Sequence, residues 1–168
     1  KALVTLLSVN TKLGDLLVKS GQVEESLAAF RKALPRYEAI AAKTGSRGDR
    51  FNLFVAHSKV GGALARIGRK QEALASYAAM LSIIQAIVDG DANDAPARRS
   101  LAVCLNKIGD LLDQTGDSPG ALAKYREALV LREALAPADL RNVLARSDLV
   151  GSYIRIGDLL VKTGNEAA

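Results

Sequence analysis

The sequence has no tryptophan, one cysteine, one histidine, one methionine and four prolines in 168 residues, and aromatics make up only 4% of it. The lone Cys104 excludes an internal disulfide framework. With one histidine, His57, and no cysteine pair, the usual zinc-ligand spacings are absent as well. No stretch approaches 18 uninterrupted apolar residues, so no membrane span is expected. No charged-then-apolar leader with a cleavage site opens the chain. It begins at Lys1 rather than Met, as an excised or processed piece would, and a cytoplasmic location is the expectation.

What is present is ordinary for a folded chain: 49% apolar and 24% charged residues, enough length to bury a substantial core, and nothing of a disordered tail. The net charge of +5 is uneven. Residues 1–70 carry 13 Lys/Arg against 5 Asp/Glu, a balance of +8, whereas residues 71–168 carry 10 against 13, a balance of −3. A basic half attracts acidic proteins, anionic membranes or nucleic acid. No stretch here interleaves basic with aromatic residues, so the charges read as solvated faces of long helices and no nucleic-acid partner is expected.

The informative feature is internal repetition. Residues 12–21, 59–68, 107–116 and 155–164 read KLGDLLVKSG, KVGGALARIG, KIGDLLDQTG and RIGDLLVKTG. The leading glycines Gly14, Gly61, Gly109 and Gly157 are spaced 47, 48 and 48, and the trailing glycines Gly21, Gly68, Gly116 and Gly164 repeat those spacings. Phe30, Tyr77 and Tyr125 keep the register, as do Leu27, Leu74 and Leu122, the small residues Ser26, Ala73 and Ala121, and, upstream, Arg50, Arg98 and Arg146.

Within a unit the apolar spacing is helical. Leu101, Leu105, Ile108, Leu111 and Leu112 recur at three and four residues, one stripe of an amphipathic helix. Gly116 stops the stripe as a C′ residue, Asp117 or Ser118 caps the next helix, and Pro119 sits in its first turn. Each unit is therefore an antiparallel helix pair. First helices are expected near 2–20, 48–67, 96–115 and 139–163, second helices near 23–43, 70–88 and 118–136, with a bend at Pro35 and no strands. The units lie near 1–47, 48–95 and 96–138, with a half unit at 139–168, together one repeat domain. A glycine inside a helix costs about 1 kcal/mol against alanine. That cost is recovered where the missing side chain admits a close neighbour, with Phe30, Tyr77 and Tyr125 filling the gap between units.

These residues resemble the tetratricopeptide repeat. Its large apolar residue followed by Gly, its turn Gly, small residue, aromatic and Ala match Leu13, Gly14, Gly21, Ser26, Phe30 and Ala33, then Val60, Gly61, Gly68, Ala73, Tyr77 and Met80, then Ile108, Gly109, Gly116, Ala121, Tyr125 and Ala128. Met80 stands where a small residue is usual, and Glu38, Gln85 and Glu133 replace the proline that often ends the second helix. The period of about 48 exceeds the family's usual 34 and looks like the long-period arrays of bacterial multi-repeat proteins. The resemblance implies an all-α, right-handed α–α solenoid of about seven helices that binds a protein or peptide in a concave groove lined by the first helix of each pair. Carried over by register, the groove positions are Thr11, Asp15 and Lys19; Ser58, Gly62 and Arg66; Asn106, Asp110 and Gln114; and Ile154, Asp158 and Lys162. The subgroup that clamps a terminal carboxylate uses Lys and Asn at these places. Here Asp15, Asp110 and Asp158 would repel one, so that clamp is not expected. An acidic row lies beside a basic row of Lys12, Lys59, Lys107 and Arg155.

No catalytic constellation, metal site or cofactor site emerges. His57 aligns with Asn10, Leu105 and Tyr153 and reads as a packing or capping group, Cys104 as a small buried hydrophobe, and the helical Gly61 and Gly62 offer no phosphate-binding loop. Two functions follow: a non-enzymatic protein-interaction scaffold, or a structural, self-associating segment of a larger regulatory protein. The second rests on the last stripe, Leu149, Tyr153, Ile156, Leu159 and Leu160, whose second helix is missing.

Overall fold

The computed structural model describes residues 2–135 and 143–164, and among them the secondary structure is entirely helical: α1 (Ala2–Lys19), α2 (Val23–Thr44), α3 (Arg47–Arg66), α4 (Lys70–Gly90), α5 (Ala95–Thr115), α6 (Ser118–Leu135) and α7 (Val143–Thr163). The fold class is all-α, as the periodicity requires. The expected start of the last helix at 139, and the punctuation at Pro137 and Asp139, lie outside the described residues.

The helix ends follow from local chemistry. Gly21, Gly68 and Gly116 adopt φ of 82°, 78° and 89°, the left-handed region that favours glycine. Behind each, the next amide reaches back to close the last turn: Gln22 to the Leu17 carbonyl, Arg69 to Leu64 and Asp117 to Leu112, all at 2.9 Å. The same closure three times over sets the sharp reversal between the helices of each pair. Asp117 then caps α6, its Oδ1 accepting from the Gly120 amide at 2.9 Å, and Asp94 caps α5 through the Ala97 amide at 2.9 Å. Ser46 and Asp49 cap α3 together: Ser46 Oγ accepts from the Asp49 amide at 3.1 Å and donates to its carboxylate at 2.7 Å. No break occurs at Pro35, since α2 runs through it to Thr44.

Two compact units divide the chain at Ile87 and Val88. In the first, α1 packs on α2 and α2 on α3, with the buried Leu64, Met80 and Ile84 in its core. In the second, α5 packs on α6 and α6 on α7 around Leu101, Leu105 and Leu111. The leading glycines explain the closeness. A Cβ on Gly14 would lie 2.3 Å from the Phe30 ring, on Gly61 2.5 Å from the Tyr77 ring and on Gly109 2.5 Å from the Tyr125 ring. Each ring is 4% exposed, and the facing Ser26, Ala73 and Ala121 are fully buried. The rings also touch the next pair where one unit holds both. Lys59 Nζ stands 5.5 Å over the Phe30 ring, and Tyr125 and Ala121 form a cluster with Leu159 of α7. At Gly157 a Cβ would meet nothing within 4 Å.

One composition-based expectation changes. Helix α4 is 21 residues long with a mean hydropathy of 1.4 in its best window, long and apolar enough to cross a membrane, although polar residues such as Ser76 and Gln85 interrupt it. Counting only uninterrupted apolar runs passes over it. Its Ala73, Tyr77, Met80, Ile84 and Ile87 are buried, and 28% of that window is buried in all.

Candidate functional site

The groove positions carried over by register fall on the first helix of each pair, and the structure shows which of them meet. In the first unit Asp15 of α1 is ion-paired with Lys59 of α3. In the second, Arg155 Nε of α7 donates to Asp110 Oδ1 of α5 at 3.1 Å. Lys59 and Arg155 belong to the basic row and Asp15 and Asp110 to the acidic row, so each carboxylate is engaged by the cation of the following pair. Asp15 and Asp110 thus link neighbouring first helices through Lys59 and Arg155 while remaining partly exposed, and Lys12 and Asp158 of the same rows are exposed. Two more pairs lace α5 to α7, Arg99 with Asp148 at 2.7 Å and Asp113 with Lys162 at 2.6 Å. All are partly exposed, so each adds about 0–1 kcal/mol. Their value lies in fixing the alignment of α5 and α7, which run in the same direction.

The remaining positions scatter. Thr11 is half-buried, 3.1 Å from the Tyr37 hydroxyl, and Asn106 is buried. Ser58 and Gly62 are half-buried, while Lys19, Arg66, Gln114 and Asp158 are exposed, and Ile154 is 56% exposed. Tyr125 donates to Asp110 at 2.9 Å. Burial, and then that carboxylate, push the Tyr125 hydroxyl well above its ordinary pKa.

The second unit adds a residue that reading first helices alone overlooks. Arg132 projects from α6 beneath the α5–α7 face and is 6% exposed. Its Nη1 donates to the Asp148 carbonyl at 2.9 Å and to Ser152 Oγ of α7. The Asn106 amide turns its oxygen toward the guanidinium, accepting from Nη1 and Nη2 at 3.0 Å each, since the opposite orientation sets donors against donors. The Nε of Arg132 has no partner. Burial lowers the pKa of Arg132, opposed by Asp148 and reinforced by Arg155 and Arg99. A cavity of about 390 Å³ opens here, lined by Asn106, Lys107 and Asp110 of α5, Arg132, and Asp148 and Arg155 of α7. The signal was present in the register: Tyr37, Ile84 and Arg132 share one position, as do Thr11, Ser58 and Asn106. The contact Thr11–Tyr37 of the first pair is thus the contact Asn106–Arg132 of the third.

No acid–base pair converges here. Half-buried His57 has an unpartnered Nδ1, and burial lowers its pKa, with Glu38 opposing. Cys104 is fully buried and its thiol is pushed up to about 12 by burial. Among the described residues no three His, Cys, Asp or Glu side chains gather to hold a metal.

Residues 7–36, spanning most of α1 and the first part of α2, match the family model of the tetratricopeptide repeat. The match spans one repeat near the start of the chain. Such repeats are protein-interaction modules, and the ring-on-glycine contact within the matched segment, Phe30 on Gly14, recurs in the two later pairs of this repeat protein. A crystal structure of BtubC (BKLC) from P. vanneervenii superposes with a TM-score of 0.76 at 17% identity, over 98% of this chain and 59% of that one. The repeat protein therefore shares that fold while spanning 59% of the BtubC chain's length. A MamA RS-1 ArsTM double mutant aligns over 94% of the repeat protein and 96% of its own chain, with a TM-score of 0.33 at 11% identity. A second MamA crystal structure covers 97% of both chains, with a TM-score of 0.30 at 17% identity. No curated protein matches the sequence.

Proposed function

We propose that this chain is a non-enzymatic protein-interaction scaffold that holds a segment of a partner protein along the face made by the first helices of its pairs. The observation that carries this reading is the face between α5 and α7, where three ion pairs hold two parallel helices around a polar cavity. Repeat pairs of this kind build extended surfaces rather than closed pockets. The test is affinity capture of partners on the purified chain, repeated after charge reversal at Asp15, Asp110 and Asp158 with helicity checked by circular dichroism. A changed affinity is expected; binding left unchanged by the triple reversal in a folded protein places the partner elsewhere.

A second reading rests on α7. Val150, Ile154, Gly157 and Val161 recur at three and four residues and are all exposed. The stripe anticipated for self-association is different: Leu159 is buried against Tyr125, Leu149, Ile156 and Leu160 are half-buried, and Tyr153 is 54% exposed. The exposed line is displaced around the helix because α6 covers the expected one. Gly157 in its middle is an unfilled copy of the socket that holds a ring in three other places. Self-association through this face predicts a mass that rises with concentration in light scattering and falls back after Ile154→Glu; a monomer at every dilution removes the reading.

A further inference from the structure

Arg132 is a charged group at a position where the first two pairs carry Tyr37 and Ile84. Tyr37 is half-buried, and Ile84 is 0% exposed in its core. Placing a guanidinium at such a position is costly unless a counter-charge offsets its lost hydration. Among the described residues no carboxylate forms an ion pair with it: the Asp148 side chain is taken by Arg99, and Arg132 receives only the Asp148 carbonyl, the Ser152 hydroxyl and the Asn106 amide. All three acceptors are neutral. They engage Nη1 and the end between Nη1 and Nη2, which leaves the buried Nε without a partner. Two parallel N–H groups on one edge of a guanidinium match the two oxygens of a carboxylate. Lys107 and Arg155 add positive charge to the same cavity, and the carboxylates on its wall, Asp110 and Asp148, are already paired.

We propose that the cavity between α5, α6 and α7 binds the carboxylate of an acidic side chain, Asp or Glu, presented by a protein partner, with Arg132 as the principal contact. The inference rests on the interaction-scaffold reading for the partner, but its chemistry is tested without one. Blocked glutamate (N-acetyl-glutamate α-methylamide) and its glutamine counterpart are titrated into the whole chain while the Nε–H resonance of Arg132 and the amides of Asn106 and Ser152 are followed by NMR. Saturable shifts with the glutamate compound and none with the glutamine compound are expected. Equal shifts with both, no shift, or a response to inorganic phosphate alone overturns the proposal. Arg132→Lys keeps the charge and removes the two-pronged edge, so affinity falls by at least about tenfold. Should that variant not fold, Asp110→Asn decides: losing a negative wall charge and releasing Arg155 must tighten glutamate binding several-fold, and unchanged or weaker binding refutes the site. Peptides selected from a random displayed library on the wild-type chain separate the two readings. Selected peptides without acidic enrichment that bind Arg132→Lys equally well overturn the carboxylate site and leave the scaffold standing. Glutamate binding with no peptide enriched at all removes the partner from the proposal.

Discussion

The contact between Tyr125 and Gly109 makes a sign-dependent prediction. Adding a methyl group to a helical glycine stabilises a helix by about 1 kcal/mol when space allows, because alanine loses less backbone entropy on folding. At Gly157 space allows, since nothing lies within 4 Å of the added carbon. At Gly109 the same carbon lies 2.5 Å from Cε1 and 2.8 Å from Cδ1 of Tyr125. That ring cannot swing clear cheaply: it is 4% exposed, packs with Leu159, and its hydroxyl is held by Asp110 at 2.9 Å. Overpacking of this kind costs roughly 1–3 kcal/mol, which exceeds the helical gain. Gly157→Ala should therefore raise stability by roughly 0.5–1 kcal/mol and Gly109→Ala lower it by about 1 kcal/mol. Urea unfolding followed by far-UV circular dichroism measures both, with local unfolding of single pairs watched for as a broadened transition. The ring is the cause only if removing it reverses the effect, so Gly109→Ala in a Tyr125→Ala background should become stabilising. If the two glycine substitutions shift the midpoint in the same direction, or Gly109→Ala still destabilises without the ring, the close-approach argument fails.

Three further outcomes follow from other groups. Cys104, fully buried, should resist a thiol reagent in the native chain and react once urea unfolds it; its thiol, raised from 9.0 to about 12, favours the fold below pH 9 and loses that contribution as pH rises toward 12, a slope absent from Cys104→Ala. His57 is shifted the other way, its pKa lowered from 6.5 by burial, so its contribution is present above pH 6.5 and lost as pH falls; NMR should find it titrating below 6.5, and His57→Gln should flatten the acid limb of stability. Leu111→Ala, at a position 1% exposed, should cost about 2–5 kcal/mol in urea unfolding, whereas Lys162→Ala, which removes a pair on an exposed face, should cost under about 1 kcal/mol.

Much of the fold is legible in the sequence because its determinants are local. Gly21, Gly68 and Gly116 end helices through their own φ, and the glycine and aromatic of each pair are only 16 residues apart. Pro35 does not end its helix, since α2 continues through it to Thr44. The candidate site is less legible. Whether Asp15 and Asp110 repel an incoming anion depends on partners 44 and 45 residues away, whose alignment is set by how neighbouring helices stack. Arg132 escapes a register carried over from first helices, although its charge among Tyr37 and Ile84 marks it once second helices are aligned too. The exposed line on α7 is likewise decided by which flank α6 covers, a tertiary matter that periodicity alone leaves open.

The short reach of these ties has a kinetic consequence. The rings close across 16 residues, and no side-chain hydrogen bond described above spans more than 49. Closure entropy grows only logarithmically with loop length, and folding rate falls with the mean separation of contacts. A chain stitched this way meets the same search at every pair, so lengthening it by another pair adds stability without deepening the topological barrier. Folding can begin at whichever pair closes its ring first and spread to its neighbour.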